Sequence, residues 1–398
     1  MRFLFFVTGL ILVFGLAFIV SNNKKGIHFR PILSMLAIQL LLGFLLMYTD
    51  AGVSVVSAIA DGFSTLMAMA NEGINFVFGG LVNEGENTFF ITALLPIIFI
   101  AVLVGILNYF KILPFIIKYV GAVINKINGI GRLENYFAVS TAILGQPEAF
   151  LTITKELPHL TTRRLYTICT SAMSAVSMAL LGSYMNLLEP QYVVVAVCVN
   201  IPSALIIASI INPYSKDDKK DIMPEIEEET DQEEKPSFFQ MIGDSSMSGF
   251  KLAITVAAML IGFLSVLELV NQLFLGIFSI SFQTLLGYVF SPIAFLIGVP
   301  WEESIRSGSI MATKLATNEF VAMTDFNSMD VSLSEKASAI VSVYLVSFAN
   351  FGTVGIITGS IKSLNEKQGN RVATFALKLL YGSTLASFLS ATVVGLFA

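Results

Sequence analysis

Three short polar clusters lie inside otherwise apolar stretches of this 398-residue chain, and the chemistry must be sought there. The first is Gly145-Gln146-Pro147-Glu148-Ala149-Phe150. Gly and Pro break a helix at that point and free backbone groups. Gln146 offers a donor and an acceptor, and Glu148 a charge or a protonatable acid. The second cluster is Thr317-Asn318-Glu319-Phe320, and the third is Phe348-Ala349-Asn350-Phe351-Gly352-Thr353. Asn350 and Thr353 are spaced to share one helix face, with the Phe348 ring on a neighbouring face. A charge near the centre of a bilayer costs about 2.5–3.5 kcal/mol on insertion scales, so an acid retained there needs a partner or a task.

Each of these residues, taken alone, also has a plain structural reading. Glu148 would serve as a hairpin cap or as the partner of a surface lysine. Glu319 would pair with Lys314, five residues earlier. Asn350 would be interhelical glue and Phe348 packing. Taken together, two acids on separate broken segments, plus an amide and a hydroxyl on one helix, make a polar midplane pocket for a small hydrophilic solute. The vicinal hydroxyls of a ribose suit Glu319 and Asn350, the edge of a base suits Gln146, and a base plane packs against Phe348. Sugars and amino acids would use the same groups.

The elements that position these residues are membrane elements. The chain is 55% hydrophobic and 13% charged, with a mean hydropathy of +0.79. A soluble domain carries about 25% charged residues, so this composition cannot furnish a water-soluble surface. Apolar runs predict an all-α membrane protein with about eight spanning helices, near 3–20, 31–48, 89–110, 165–187, 192–211, 247–270, 337–361 and 374–397. The run at 3–20 follows Arg2, lacks a small-residue cleavage site and precedes Lys24, Lys25 and Arg30, so it reads as a span and not as a signal peptide. Residues 51–80 carry Asp61, Asn71, Glu72 and Asn75, which suits an interfacial amphipathic helix. Residues 137–154 and 292–322 are apolar but broken by Gly, Pro and acids. Irregular backbone is tolerated in hydrocarbon only where protein or a watery cavity covers it, so both read as re-entrant hairpins.

The organisation follows. Residues 1–30 form a first helix and cytoplasmic loop, and 31–110 carry scaffold helices and the interfacial helix. Residues 111–211 form the first half of a transport domain, with the hairpin at 137–154. An acidic linker occupies 212–240, with Glu225, Glu227, Glu228, Glu229, Asp231, Glu233 and Glu234 close together. Residues 241–290 return to the scaffold, and 291–398 form the second half with the hairpin at 292–322. Two halves, each with an acid-bearing hairpin before a spanning helix, fit an inverted-repeat transporter. Basic residues collect in alternate loops: Lys24, Lys25 and Arg30; Lys118 to Arg164; Lys216 to Lys235; Lys362, Lys367 and Arg371. By the positive-inside rule, both termini then lie outside a multi-pass protein of the inner, or plasma, membrane.

Several classes are disfavoured. No basic patch argues for nucleic acid. Cys169 and Cys198 lie in apolar runs, and only His28 and His159 are present, so no metal site or organic cofactor is expected. No nucleophile–base pair or metal-ligand motif for an intramembrane enzyme is found. A channel is the closer alternative, and accumulation against a gradient separates it from a transporter.

At these same residues the chain resembles the concentrative nucleoside transporter family. The similar features are Gly-Gln-Pro-Glu-Ala at 145–149, Gly-Val-Pro-Trp-Glu at 298–302, Thr-Lys-Leu-Ala-Thr-Asn-Glu-Phe-Val-Ala at 313–322, Phe-Ala-Asn-Phe at 348–351, and Gly249 through Ala253. They occur in matching order over nearly the whole chain. The resemblance implies a homotrimer in membrane lipid, with a hairpin-bearing transport domain that moves against a trimeric scaffold. It implies that Gln146 and Glu148 contact the base, that Glu319, Asn350 and Thr353 contact the ribose, and that Phe348 flanks the pocket. Sodium-coupled relatives typically have Asn where Thr141 stands and Ser where Ala175 stands. Losing an amide and a hydroxyl removes two oxygens from a hard-cation site. Secondary active import by proton symport, through Glu148 or Glu319, is therefore the preferred expectation, with sodium symport as the alternative. Pro147 replaces the more familiar Thr or Ser. Pyrimidine nucleosides are expected substrates, and the room beside Gly145 admits purines.

Overall fold

A computed structural model of the chain describes residues 1–79, 88–213, 236–328 and 333–398. Residues 214–235 of the expected acidic linker lie outside them. Among the described residues every regular element is a helix.

The chain begins with α1 (Arg2–Ile19), α2 (Phe29–Tyr48) and α3 (Asp50–Phe78), then a π turn over Phe90–Leu94 that runs into α4 (Pro96–Tyr109). After α5 (Ile112–Asn128), the first hairpin is formed by α6 (Arg132–Ile143) and α7 (Gln146–Leu151). A broken span follows, α8 (Thr162–Ser174) and α9 (Met178–Met185), then the unbroken α10 (Pro190–Ile211). The helix α11 (Phe238–Phe278) has 41 residues. At 1.5 Å per residue it is roughly 60 Å long, about twice the hydrocarbon thickness. Next, α12 (Phe282–Leu296) bends by 119° into α13 (Trp301–Ala316), which forms the second hairpin with α14 (Glu319–Asn327). A second broken span, α15 (Glu335–Leu345) and α16 (Phe351–Leu364), leads through α17 (Glu366–Thr374) to α18 (Ala376–Phe397). The same order thus recurs: flanking helix, hairpin, broken span, long helix.

Lipid as solvent explains which faces turn inward. The helices α1 and α2 each bury one narrow stripe, Phe6-Gly9-Val13-Ala17 and Ile32-Met35-Gln39-Gly43, and show the rest outward. Hydrocarbon exerts no hydrophobic drive on those outer Leu, Ile and Phe side chains, so close packing and hydrogen bonding choose the buried side. The buried stripes pack on α10 and α18, which are themselves almost wholly covered. The α4–α11 contact depends on a small residue. A Cβ at Gly249 would stand 2.7 Å from Ile98 Cα, so the backbones touch there.

Several boundaries differ from those expected. The second hairpin begins at Trp301, and its second arm runs to Asn327. The hairpin is expected to begin at residue 292, but Pro292 lies inside α12, and the chain turns near Gly298, whose φ of +116° suits glycine. The expected span 337–361 is two helices, interrupted at 346–350. The first hairpin starts at Arg132, earlier than 137. Its root is fixed by a buried ion pair: Arg164 donates to the two carboxylate oxygens of Glu134 at 2.5 and 3.1 Å. The helix α3 is 29 residues long with a mean hydropathy of 1.5, enough to cross a membrane, so its interfacial reading rests on its polar residues alone.

Candidate functional site

The first hairpin turns on Gly145, whose φ of +101° is a conformation that side chains with a Cβ rarely adopt. This lets α6 and α7 meet end to end and puts Gln146 and Glu148 in the first turn of α7. An acid there faces the partial positive charge of a helix N-terminus. Gln146 Nε2 donates to the Ala172 carbonyl at 2.9 Å, which ties the tip to α8. Glu148 is exposed toward the interior cavity.

The second hairpin turns at Thr317 and Asn318. Asn318 caps α14 by accepting from the Val321 amide at 2.9 Å. Glu319 follows and is buried, and both carboxylate oxygens have partners. Tyr184 Oη donates to one at 2.9 Å, and Asn350 Nδ2 to the other at 3.0 Å. Asn350 is the cap of α16, where its Oδ1 accepts from the Thr353 amide at 2.9 Å and the Thr353 hydroxyl at 3.1 Å. The expected pairing on one helix face is therefore replaced by a capping contact, because Asn350 lies just before the helix starts. The expected Lys314–Glu319 pairing is also replaced. Lys314 donates to Tyr344, Ser347 and Ser387, while Glu319 is held by Tyr184 and Asn350.

Gln146, Glu148, Glu319, Phe348, Asn350 and Thr353 all line one cavity of about 740 Å³. That is within the usual range for small-molecule sites. One wall is made by the hairpin tips and the breaks of the two interrupted spans. The facing wall comes from α4 and α11, with Asn108, Ser248 and Thr255 among its polar residues. These three and Tyr184 were not singled out from sequence, and Asn318 was named only as part of its cluster. A tyrosine inside an apolar span needs a partner for its hydroxyl, which was the available signal for Tyr184. Asn108 carried the same kind of signal, an amide within the apolar run 89–110, whereas a hydroxyl such as that of Thr255 is satisfied by a carbonyl of its own helix and does not stand out.

Thr141 donates its hydroxyl to carbonyls of its own helix, those of Phe137 and Ala138, at 3.2 and 3.1 Å. Beside the break at 175–177, the hydroxyls of Ser171 and Ser174 are buried without a hydrogen-bond partner. Among the described residues, no group of three or more His, Cys, Asp or Glu is placed to hold a metal ion.

Three family models match along the chain. They are described as the N-terminus of a Na+ dependent nucleoside transporter, over residues 8–81, nucleoside recognition (Gate), over 90–191, and the C-terminus of a Na+ dependent nucleoside transporter, over 192–395. The chain is 38% identical over 400 residues to the purine nucleoside transport protein NupG of Bacillus subtilis, covering 100% of both chains. It is 31% identical over 413 residues to the nucleoside permease NupC of Helicobacter pylori, covering 99% of this chain and 97% of that one. Among solved structures, it is similar to CNTnw in an inward-facing, substrate-bound state. The TM-score is 0.93 at 27% identity, over 100% of this chain and 99% of the other. A doubly substituted CNTnw in an outward-facing state matches with a TM-score of 0.94, again at 27% identity and over 100% and 99% of the two chains.

Proposed function

The chain belongs to the concentrative nucleoside transporter family, and from that premise we propose that it imports nucleosides across the plasma membrane by proton symport. The observation that carries the proposal is the single cavity on which both hairpin tips and both helix breaks converge. In it, Gln146 and Glu148 face the base. Glu319, Asn350 and Thr353 bind the ribose, and Phe348 packs on the base plane. Gln146 offers complementary amide atoms, although its Nε2 already serves the Ala172 carbonyl. The pairing of Glu319 with Asn350 suits a diol, since a carboxylate accepts from a hydroxyl while the amide restrains it. Purine nucleosides are included as substrates on the 38% identity to NupG.

Of the two acids, Glu148 faces the cavity, whereas Glu319 already accepts from two donors. We therefore assign the transported proton to Glu148. The Thr141 hydroxyl is engaged within its own helix, and Ala175 has no side-chain oxygen. Both facts weaken a sodium site. A second reading, sodium symport, is favoured by the unpartnered hydroxyls of Ser171 and Ser174, in the last turn of α8. In either case the hairpin-bearing wall moves against the wall of α4 and α11, and the protein assembles as a homotrimer with its termini outside.

The test is uptake of labelled uridine and adenosine into proteoliposomes under a proton gradient, a sodium gradient or neither. Accumulation under the proton gradient alone supports this reading. Accumulation only with sodium replaces it by the second, and equilibration without accumulation would make the protein a channel or facilitator.

A further inference from the structure

Lys314 is fully buried in the last turn of α13 and does not line the cavity. Its ammonium donates to the Tyr344 carbonyl at 2.5 Å, to Ser347 Oγ at 2.5 Å and to Ser387 Oγ at 3.4 Å. Three N–H donors thus meet three neutral oxygens. The Tyr344 ring lies 4.3 Å from the nitrogen and adds its electron-rich face. The hydroxyls of Ser347 and Ser387 also bond each other at 2.7 Å. The carboxylate of Glu319 is held by Tyr184 and Asn350 and acts on Lys314 only through space.

All but one of these acceptors come from the place where α15 stops. Tyr344 is in its last turn, and Ser347 lies in the break that ends at Asn350. A helix C-terminus presents unpaired carbonyls and partial negative charge, and a cation placed there meets both. In hydrocarbon, an interrupted helix requires such a partner from within the protein. The ammonium therefore joins the second hairpin, the break and α18. Three residues along the same break, Asn350 reaches Glu319.

We propose that Lys314 is a positioning residue: a built-in cation that closes the junction of the second hairpin with the second broken span, and so holds Asn350 and Glu319 in register for the ribose. The inference rests on the nucleoside reading above. The first half has a different arrangement. Thr141 stands four residues before the cap Gly145, as Lys314 stands four before the cap Asn318, and its hydroxyl serves its own helix. The second junction carries its own charge and needs no ion from solution.

The experiment is equilibrium binding of labelled uridine and adenosine to the purified full chain in detergent. Lys314→Met should weaken binding about tenfold or more, as expected for lost charge-assisted hydrogen bonds. Binding to Lys314→Ala should recover when ethylammonium is added, but not with tetramethylammonium at the same ionic strength. Ser347→Ala should weaken binding in the wild type and add nothing in Lys314→Met. Wild-type affinity in Lys314→Met, additive losses in the double variant, or no recovery with ethylammonium would each overturn the inference. Should the lysine variants not fold, Ser347→Ala and Ser387→Ala still decide, since both keep the ammonium; wild-type affinity in both overturns it. Absence of nucleoside binding by the wild type would overturn the substrate reading as well, whereas unaffected variants of a binding wild type overturn this inference alone.

Discussion

Glu319 gathers its neighbours from far along the chain: Tyr184 donates to one oxygen and Asn350 to the other, across separations of 135 and 31 residues. A hydrogen bond to a charged group contributes about 1.5–3 kcal/mol, so Tyr184→Phe should weaken nucleoside binding by roughly ten- to a hundredfold. Titration of binding with labelled uridine checks this, and unchanged affinity would separate Tyr184 from the site. Asn350→Ala should lose more than Tyr184→Phe, because it also removes the cap of α16, worth about 1 kcal/mol. At Glu148 the expected signature is in the driving force. Wild-type uptake should rise as external pH falls, because external protons are then a co-substrate. Glu148→Gln should flatten that profile and abolish proton-driven accumulation, and it should weaken nucleoside exchange at equal pH only as far as its contact with the base requires. A variant that still accumulates nucleoside on a proton gradient would move the proton elsewhere.

At the scale of elements, the two hairpins are held by unlike devices. The first is clamped at its root by Glu134 and Arg164, and the second at its far end by Lys314. Removing one member of a buried ion pair takes a charged partner from the other, at a cost of up to about 3–5 kcal/mol. Glu134→Ala should therefore lower the thermal unfolding midpoint clearly in detergent, and an unchanged midpoint would show that the pair contributes nothing net. The tips obey backbone rules. Gly145 was legible as a helix breaker from its neighbours Gln146, Pro147 and Glu148, and the turn is at that residue. Pro292, at the start of the other stretch expected to be broken, sits inside α12. Pro is compatible with a helix when the freed carbonyl finds another donor or tilts away, and single-chain spacing carries no information on that.

For the whole molecule, the cavity lies between two walls, one of hairpin tips and broken spans and the other of α4 and α11. Movement of one wall past the other needs a facing surface without deep interdigitation, and small residues such as Gly105 and Gly249 keep α4 and α11 close together on that side. The proposed orientation makes a direct prediction. A cysteine placed at Lys24 should react with an impermeant maleimide only from the cytoplasmic side. Labelling of intact cells from outside would invert the topology. The native cysteines should give little background, since Cys169 is buried and Cys198 lies within α10.

Composition alone settled that this chain lives in lipid, because a fold with so few charges cannot clothe itself for water. The same solvent made the polar clusters conspicuous. Hydrocarbon penalises every acid and amide it encloses, so those that persist stand out along the sequence, and Gln146, Glu148, Glu319 and Asn350 were legible for that reason. Choice of partner was decided only by the tertiary structure. Glu319 had Lys314 within reach in sequence, yet it accepts from Tyr184 and Asn350, while Lys314 serves the carbonyl end of α15. A hydrogen bond depends on distance and direction in space, and the turn at Thr317 and Asn318 puts Lys314 on α13 and Glu319 on α14, so their closeness in sequence does not bring the side chains together. For the same reason, the wall contributed by Asn108, Ser248 and Thr255 became visible only when α4 and α11 were set against the hairpins.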